Sequence, residues 1–248
     1  MQMELIKDLM SVNKQTFSKT INSIKNHWEA LLIVVVYAII SQIITLFVSR
    51  VFSGALSIIS GILMAIIEAA IISSFLFVLN NIVQYNRFRW KDVVEGLNYY
   101  LWKVYGILFI FFIVNFILSS VLNIIGSLGY VLSLIFQLFI VIILNPLPET
   151  IYLKTYDSRD SILYCIEFIK ENFINWFIPN LLFGVLLFFI FKVTNKTLFT
   201  LSISQLMPFM LRILLFSVCL SFVMIYRGHL FKLLSTSTRR KRQFMNKF

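Results

Sequence analysis

Apolar residues gather into six long blocks along this chain, and three of the polar stretches between them carry a second, finer pattern. A bilayer core takes about 20 mostly apolar residues per helix. Segments 31–48, 54–79, 104–121, 130–144, 176–191 and 208–226 meet that requirement, so the pattern predicts six membrane spans. The fourth and fifth are short, and five spans or a re-entrant segment would also fit. The finer pattern is a ladder at helical spacing: Phe17, Ile21, Ile24, Trp28 and Leu31; then Trp90, Val94, Leu97, Leu101 and Val104; then Ile162, Ile166, Ile169, Phe173 and Trp176. Steps of four and three place each set on one helix face. Charged residues such as Asp92, Glu95, Asp160, Glu167 and Glu171 lie opposite, and each ladder runs directly into a span.

The ladders recur at offsets of 73 and 72, while Trp28, Trp102 and Trp176 recur at 74. That recurrence predicts a single membrane domain over 1–248 built from three helix-plus-hairpin units, about 1–80, 81–148 and 149–231, followed by a basic tail, 232–248. A helix with an apolar stripe, basic flanks and a terminal Trp suits the headgroup layer. The same helices would equally serve as caps against protein. The fold expected is therefore all-α, a polytopic membrane helix bundle of about six transmembrane helices with three cytoplasmic amphipathic helices.

Composition removes the other classes. Hydrophobic residues make up 59% and charged residues 13%, with a mean hydropathy of +0.88. Ordinary globular chains are about 25% charged, and too little polar surface remains here to cover a soluble fold. Disorder is excluded for the opposite reason, an excess of apolar area. The 22 Lys and Arg against 11 Asp and Glu give a net charge of +11, and the positions carry more than the sum. Basic residues fall in the N-terminal segment (Lys7, Lys14, Lys19, Lys25), the second linker (Arg87, Arg89, Lys91, Lys103), the fourth (Lys154, Arg159, Lys170) and the end (Arg227, Lys232, Arg239, Arg240, Lys241, Arg242, Lys247). The intervening loops hold Arg50, Lys192 and Lys196 alone. Positive-inside bias then places both termini in the cytoplasm of a cell-membrane protein and favours an even span count. The first 28 residues are polar and Lys-rich, so no cleavable signal is expected. Cys165 and Cys219 read as reduced thiols. Asn195-Lys196-Thr197 matches a glycosylation acceptor, a common chance motif.

Three features within the spans are candidates for function. Ser53, Ser57, Gly61, Ala65, Ala69 and Ser73 set a small residue at every fourth position, as close helix packing in lipid requires. Glu68 and Arg212 are the acid and base well inside spans, at depths of about 18 and 21 Å from the cytoplasmic ends of their helices. Matched depth and the cost of an isolated charge predict an ion pair, with Glu68 turned toward the packed side. Outward snorkelling of Arg212 is the alternative. The run Arg239, Arg240, Lys241 and Arg242 predicts contact with anionic lipid, or else records topology on a loose terminus. Nucleic acid is a poor partner for so short a tail.

Catalytic patterns are missing. His27 and His229 stand in no zinc motif, so no metal site is expected. The eight glycines form no phosphate loop, and no nucleophile elbow is present. Asp157 and Asp160 read as the start of the third surface helix, and Asn145-Pro146-Leu147-Pro148-Glu149 as the end of the fourth span.

The passage from Asn145-Pro146-Leu147-Pro148 through Ser161-Ile162-Leu163-Tyr164 to Glu171-Asn172-Phe173-Ile174-Asn175-Trp176 resembles a loose superfamily of bacterial six-span proteins. It includes the membrane domain of glycerophosphoryl diester phosphodiesterases. The resemblance covers about 45 residues, and the rest by topology. In those enzymes a separate soluble domain carries catalysis, for which the spans here leave no room. The resemblance implies a free-standing membrane module with no catalytic residue to transfer. Together these readings predict a non-enzymatic accessory or assembly subunit or lipid-contacting scaffold, without cofactor. Its partners would be membrane lipids, another membrane protein or a second copy. The alternative is a transporter or permease subunit with a polar site around Glu68 and Arg212, joined by Asn115, Asn123 and Asn180.

Overall fold

The structure is a computed structural model that describes residues 2–52, 57–124, 127–191, 203–238 and 241–242. Every regular element among these residues is a helix. In chain order they are α1 (Gln2–Asn26), a 3-10 turn (Trp28–Leu32), α2 (Ile33–Val51), α3 (Ser57–Tyr85), α4 (Trp90–Tyr99), α5 (Leu101–Ile124), α6 (Ser127–Ile143), α7 (Leu147–Leu153), α8 (Ser158–Phe191) and α9 (Ile203–Thr236). Six helical stretches are long and apolar enough to cross a membrane: Trp28–Val51, Ile59–Tyr85, Leu101–Leu122, Leu128–Leu153, Ser158–Ile190 and Met207–Thr236. The chain is a multi-pass membrane protein of the all-α class.

The proline run acts as its chemistry requires. Helix α6 stops at Ile143, a turn covers 144–146, and Pro148 sits in the first turn of α7, where its missing N–H has no helical acceptor to lose. Helix α3 ends at Tyr85, and the next residue, Asn86, has a φ of 48°, a conformation that asparagine tolerates better than branched residues do.

At each ladder the helix breaks once. The residues that leave helical geometry are His27 (φ −141°, ψ 55°), Tyr100 (φ −108°, ψ 6°) and Asn172 (φ −122°, ψ 15°). Their spacings are 73 and 72, the offsets of the ladders themselves. A single non-helical residue lets the chain turn from the ladder-bearing helix into the next helical stretch while both sides stay helical.

The buried face is not the apolar ladder. It lies one residue earlier, a rotation of about 100°. Thr16, Thr20, Ser23 and Ala30 are buried on the first helix, Gly96 on the second, and Ser161, Cys165, Phe168 and Asn175 on the third. In the first two ladders Phe17, Trp28, Trp90, Val94 and Leu97 are exposed, Ile21, Ile24, Leu31 and Leu101 are half-buried, and Val104, already inside the span, is buried. The third ladder is mixed, since Ile169 and Trp176 are buried and Phe173 is exposed.

By packing, the described residues form two compact units that cut across the threefold sequence grouping. The first comprises 1–44, 79–88 and 172–248, and the second 45–78 and 89–171. In the first, α1 and the 3-10 turn lie along α9, and both Ser217 and Ser221 donate to the Leu31 carbonyl at 2.9 and 3.3 Å. In the second, α4 docks on α3, and α5 pairs with α6 as a hairpin.

Candidate functional site

Helix α4 is held by two serines of α3. Ser73 Oγ donates to the Gly96 carbonyl at 2.6 Å and accepts from the Tyr100 N–H at 2.8 Å, at the point where the helix breaks. Ser74 Oγ donates to the Val93 carbonyl. Small residues on both sides permit this approach: a Cβ on Gly96 would lie 2.8 Å from Phe77 Cβ and 2.9 Å from Ser74 Cα. Asp92, fully buried beside Gly96, pairs with Arg89 at 3.1 Å. The polar side of the helix thus faces protein and its apolar side faces out.

The first unit is closed by a buried ion pair between the ends of the chain. Arg242 donates to Asp8 through Nε (3.1 Å) and Nη2 (2.9 Å), and through Nη1 to the Ser237 carbonyl (2.6 Å). Asn175 Nδ2 adds a bond to Asp8 Oδ2 at 2.8 Å. Both ionic side chains are 5% exposed or less. Farther along α1, Tyr226 donates to Asn13 Oδ1, and Ser23 bonds His229 at 3.0 Å. Lys232 Nζ donates to the Val83 carbonyl at 3.1 Å, near the C-terminal end of α3. His27 Nε2 donates to the Asn86 carbonyl at 2.7 Å.

The second unit repeats this use of a cation. Lys103 Nζ donates to the carbonyls of Ile151 (3.0 Å) and Lys154 (3.4 Å), the C-terminal end of α7. Carbonyls there lack helical partners and carry the negative end of the helix dipole. Ser158 Oγ donates back to the Lys103 carbonyl at 3.0 Å. Lys154 lies over the Tyr164 ring, 5.2 Å from its centroid, and burial lowers its pKa. Behind α7, Thr150 Oγ1 lies 3.5 Å from Cys165 Sγ, and both residues are buried. Replacing Lys103 with Met, which keeps the stem and removes the donors, lowers stability by about 1–2 kcal/mol. A urea or thermal unfolding series in mild detergent measures this, and an unchanged midpoint would mean that the ammonium does not cap α7.

Several residues expected from sequence sit elsewhere than predicted. Arg242 is inside an ion pair and not on a lipid surface, because Asp8 and the Ser237 carbonyl offer it matched acceptors. Lys241 is exposed, while Arg239 and Arg240 lie outside the described residues. The small-residue stripe is packed at Ala69 and Ser73, both fully buried. It opens at Gly61, which among the described residues has no atom within 4 Å of where a Cβ would stand. Ser53 lies outside the described residues, as does the side chain of Ser57. A strict four-residue repeat drifts about 40° per step, so Gly61 and Ser73 point about 120° apart. Glu68 aligns with Gly61 and not with Ser73, and it is exposed instead of facing the packed side. Arg212 is exposed on α9, in the other unit.

Two grooves open on the second unit. One, of about 360 Å³, is apolar and is bordered by Gly61, Ile62 and Ala65 of α3 and by Tyr105, Leu108, Phe109 and Phe112 of α5. The other, of about 300 Å³, holds polar side chains between α5 and α6: Asn115, Ser119, Ser133 and Gln137, with Phe112, Phe116 and Leu118. Asn115 was legible as a polar residue in a span; Gln137 was missed, although it is the glutamine within span four. Asn180 is buried and back-bonds the Trp176 carbonyl at 2.6 Å. The side chain of Asn123 is outside the described residues, as is the 195–197 motif. Comparison with protein-family models, with curated proteins and with solved structures finds no match to this chain.

Proposed function

We propose that the chain is a non-enzymatic lipid-contacting scaffold, an accessory or assembly subunit of the cell membrane with both termini in the cytoplasm. The outward turn of the apolar ladders on α1 and α4 is the observation that carries this reading. Trp28, Trp90 and Val94 are 60%, 55% and 68% exposed on helices whose small and polar sides are docked. Exposed Lys14, Lys19 and Lys25 flank the first ladder, and Arg87, Arg89 and Lys91 flank the second. Apolar side chains ringed by cations fit an anionic headgroup layer. The buried polar groups support the same reading, because Ser73, Asp8, Asn175 and Lys103 bond other helices of their own unit. Kinship with the bacterial six-span membrane-domain superfamily belongs to this proposal.

Purification of the full chain in lipid nanodiscs, followed by native mass spectrometry, tests it. Retained anionic lipid and a polypeptide assembly of fixed stoichiometry are expected. Solute uptake or lipid turnover by the chain alone in vesicles would overturn the scaffold reading.

A further inference from the structure

We propose that α5 and α6 form the contact between two copies of this chain, paired through Asn115 and Gln137 in the middle of the bilayer. This rests on the scaffold reading and names the partner that the scaffold assembles with.

Among the described residues these two spans are the least covered of the six: within an 18-residue apolar stretch of each, 11% of the residues are buried in the α5 span and 6% in the α6 span. Apolar exposure alone would mean lipid. The polar groove between them argues otherwise. Asn115 is nine residues from the end of α5 at Ile124, and Gln137 is ten from the start of α6 at Ser127. At 1.5 Å per residue both carboxamides lie about 14–15 Å from the connection, mid-membrane depth. No water is available there to complete their hydrogen bonding.

Each carboxamide bonds along its own helix. Asn115 Nδ2 donates to the Phe111 carbonyl at 2.9 Å, and Gln137 Nε2 donates to Ser133 Oγ at 3.2 Å. A carboxamide has two N–H donors and a carbonyl acceptor. Among the described residues, one donor and the acceptor of each side chain are thus left toward the open groove, where both residues are exposed.

A group with one donor and one acceptor is complementary to itself. Copies inserted in the same sense carry Gln137 at the same depth, and a twofold axis along the membrane normal brings the two together. There they can exchange N–H···O bonds reciprocally, as an isologous interface requires. An acyl chain offers neither group, and headgroups lie too far away along the normal. Small Ser119 and Ser133 beside the carboxamides allow the backbones to approach.

The test is single-molecule photobleaching of the full chain, labelled at its N-terminus, in phosphatidylcholine–phosphatidylglycerol vesicles over a lipid-dilution series. Two-step bleaching is expected for the natural sequence. Gln137→Leu should shift the dilution midpoint about tenfold toward monomer, two reciprocal intramembrane hydrogen bonds being worth about that factor. Asn115→Leu should weaken the dimer further, and Gln137→Asn should restore part of it. These substitutions remove polar groups from an exposed intramembrane face, so helix content and unfolding midpoint serve to show that the fold is kept. Single-step bleaching at every dilution, or a Gln137→Leu, Asn115→Leu double variant that dimerises normally, would overturn the pairing. A monomer found in fixed ratio with a different membrane protein overturns the pairing and leaves the scaffold reading standing. Solute uptake by a chain whose dimer still depends on Gln137 does the reverse.

Discussion

Replacing Arg242 with Met is expected to destabilise the first unit by about 3–5 kcal/mol, the cost of leaving a buried charge without its partner. Asp8 is 4% exposed and takes two bonds from the guanidinium, so the change removes that cation from a buried carboxylate that keeps its bond from Asn175. Adding Asp8→Asn should recover most of the loss. The amide removes the charge and keeps an oxygen for Asn175. The comparison separates an ion pair from a packing effect, because a pure packing defect at Arg242 would not respond to Asp8→Asn. Unfolding in a graded detergent series, with hydrogen exchange read along α1, measures both. Single and double variants of equal, natural stability would show that the pair does not close the unit.

Gly96→Val is expected to undock α4 at a cost of about 3 kcal/mol, from overpacking plus the bonds it breaks. The new side chain meets the Ser74 backbone, which cannot swing aside as a flexible tip would. Displacing α4 pulls the Gly96 carbonyl and the Tyr100 N–H away from Ser73. Ser73→Ala should show part of the same loss without any clash, about 1 kcal/mol for hydrogen bonds left unmade. Thermal unfolding of the two variants in mild detergent measures the difference. A Gly96→Val protein as stable as the natural one would mean that α4 is not seated on α3.

Spans and junctions were legible in the sequence because both follow from strong one-dimensional signals. Six apolar blocks marked the spans, and the ladder offsets of 73 and 72 reappear as the helix breaks at His27, Tyr100 and Asn172. What the pattern could not disclose was which face docks. Periodicity reports where apolar residues lie, and in a soluble protein that face turns inward. At a membrane surface the apolar side can face lipid, which leaves Thr16, Thr20, Ser23 and Gly96 free to meet protein. Asp8 and Arg242 are 234 residues apart, and no local spacing links them. Glu68 was misplaced because its alignment with Gly61 was taken for alignment with the whole stripe, whose packed end had already rotated away.

Four tryptophans allow the proposed lipid-facing arrangement to be measured directly. Trp28, Trp90 and Trp102 are exposed, whereas Trp176 is fully buried against Phe231, with Arg227 5.2 Å from its ring centroid. Single-Trp variants, the other three changed to Phe, are reconstituted in vesicles containing lipids brominated near the headgroup. Strong quenching of Trp28, Trp90 and Trp102 beside a nearly unquenched Trp176 is expected if the surface helices present their ladders to the bilayer. Unquenched Trp28 and Trp90, or quenching of Trp176 equal to theirs, would show that the ladders do not face lipid.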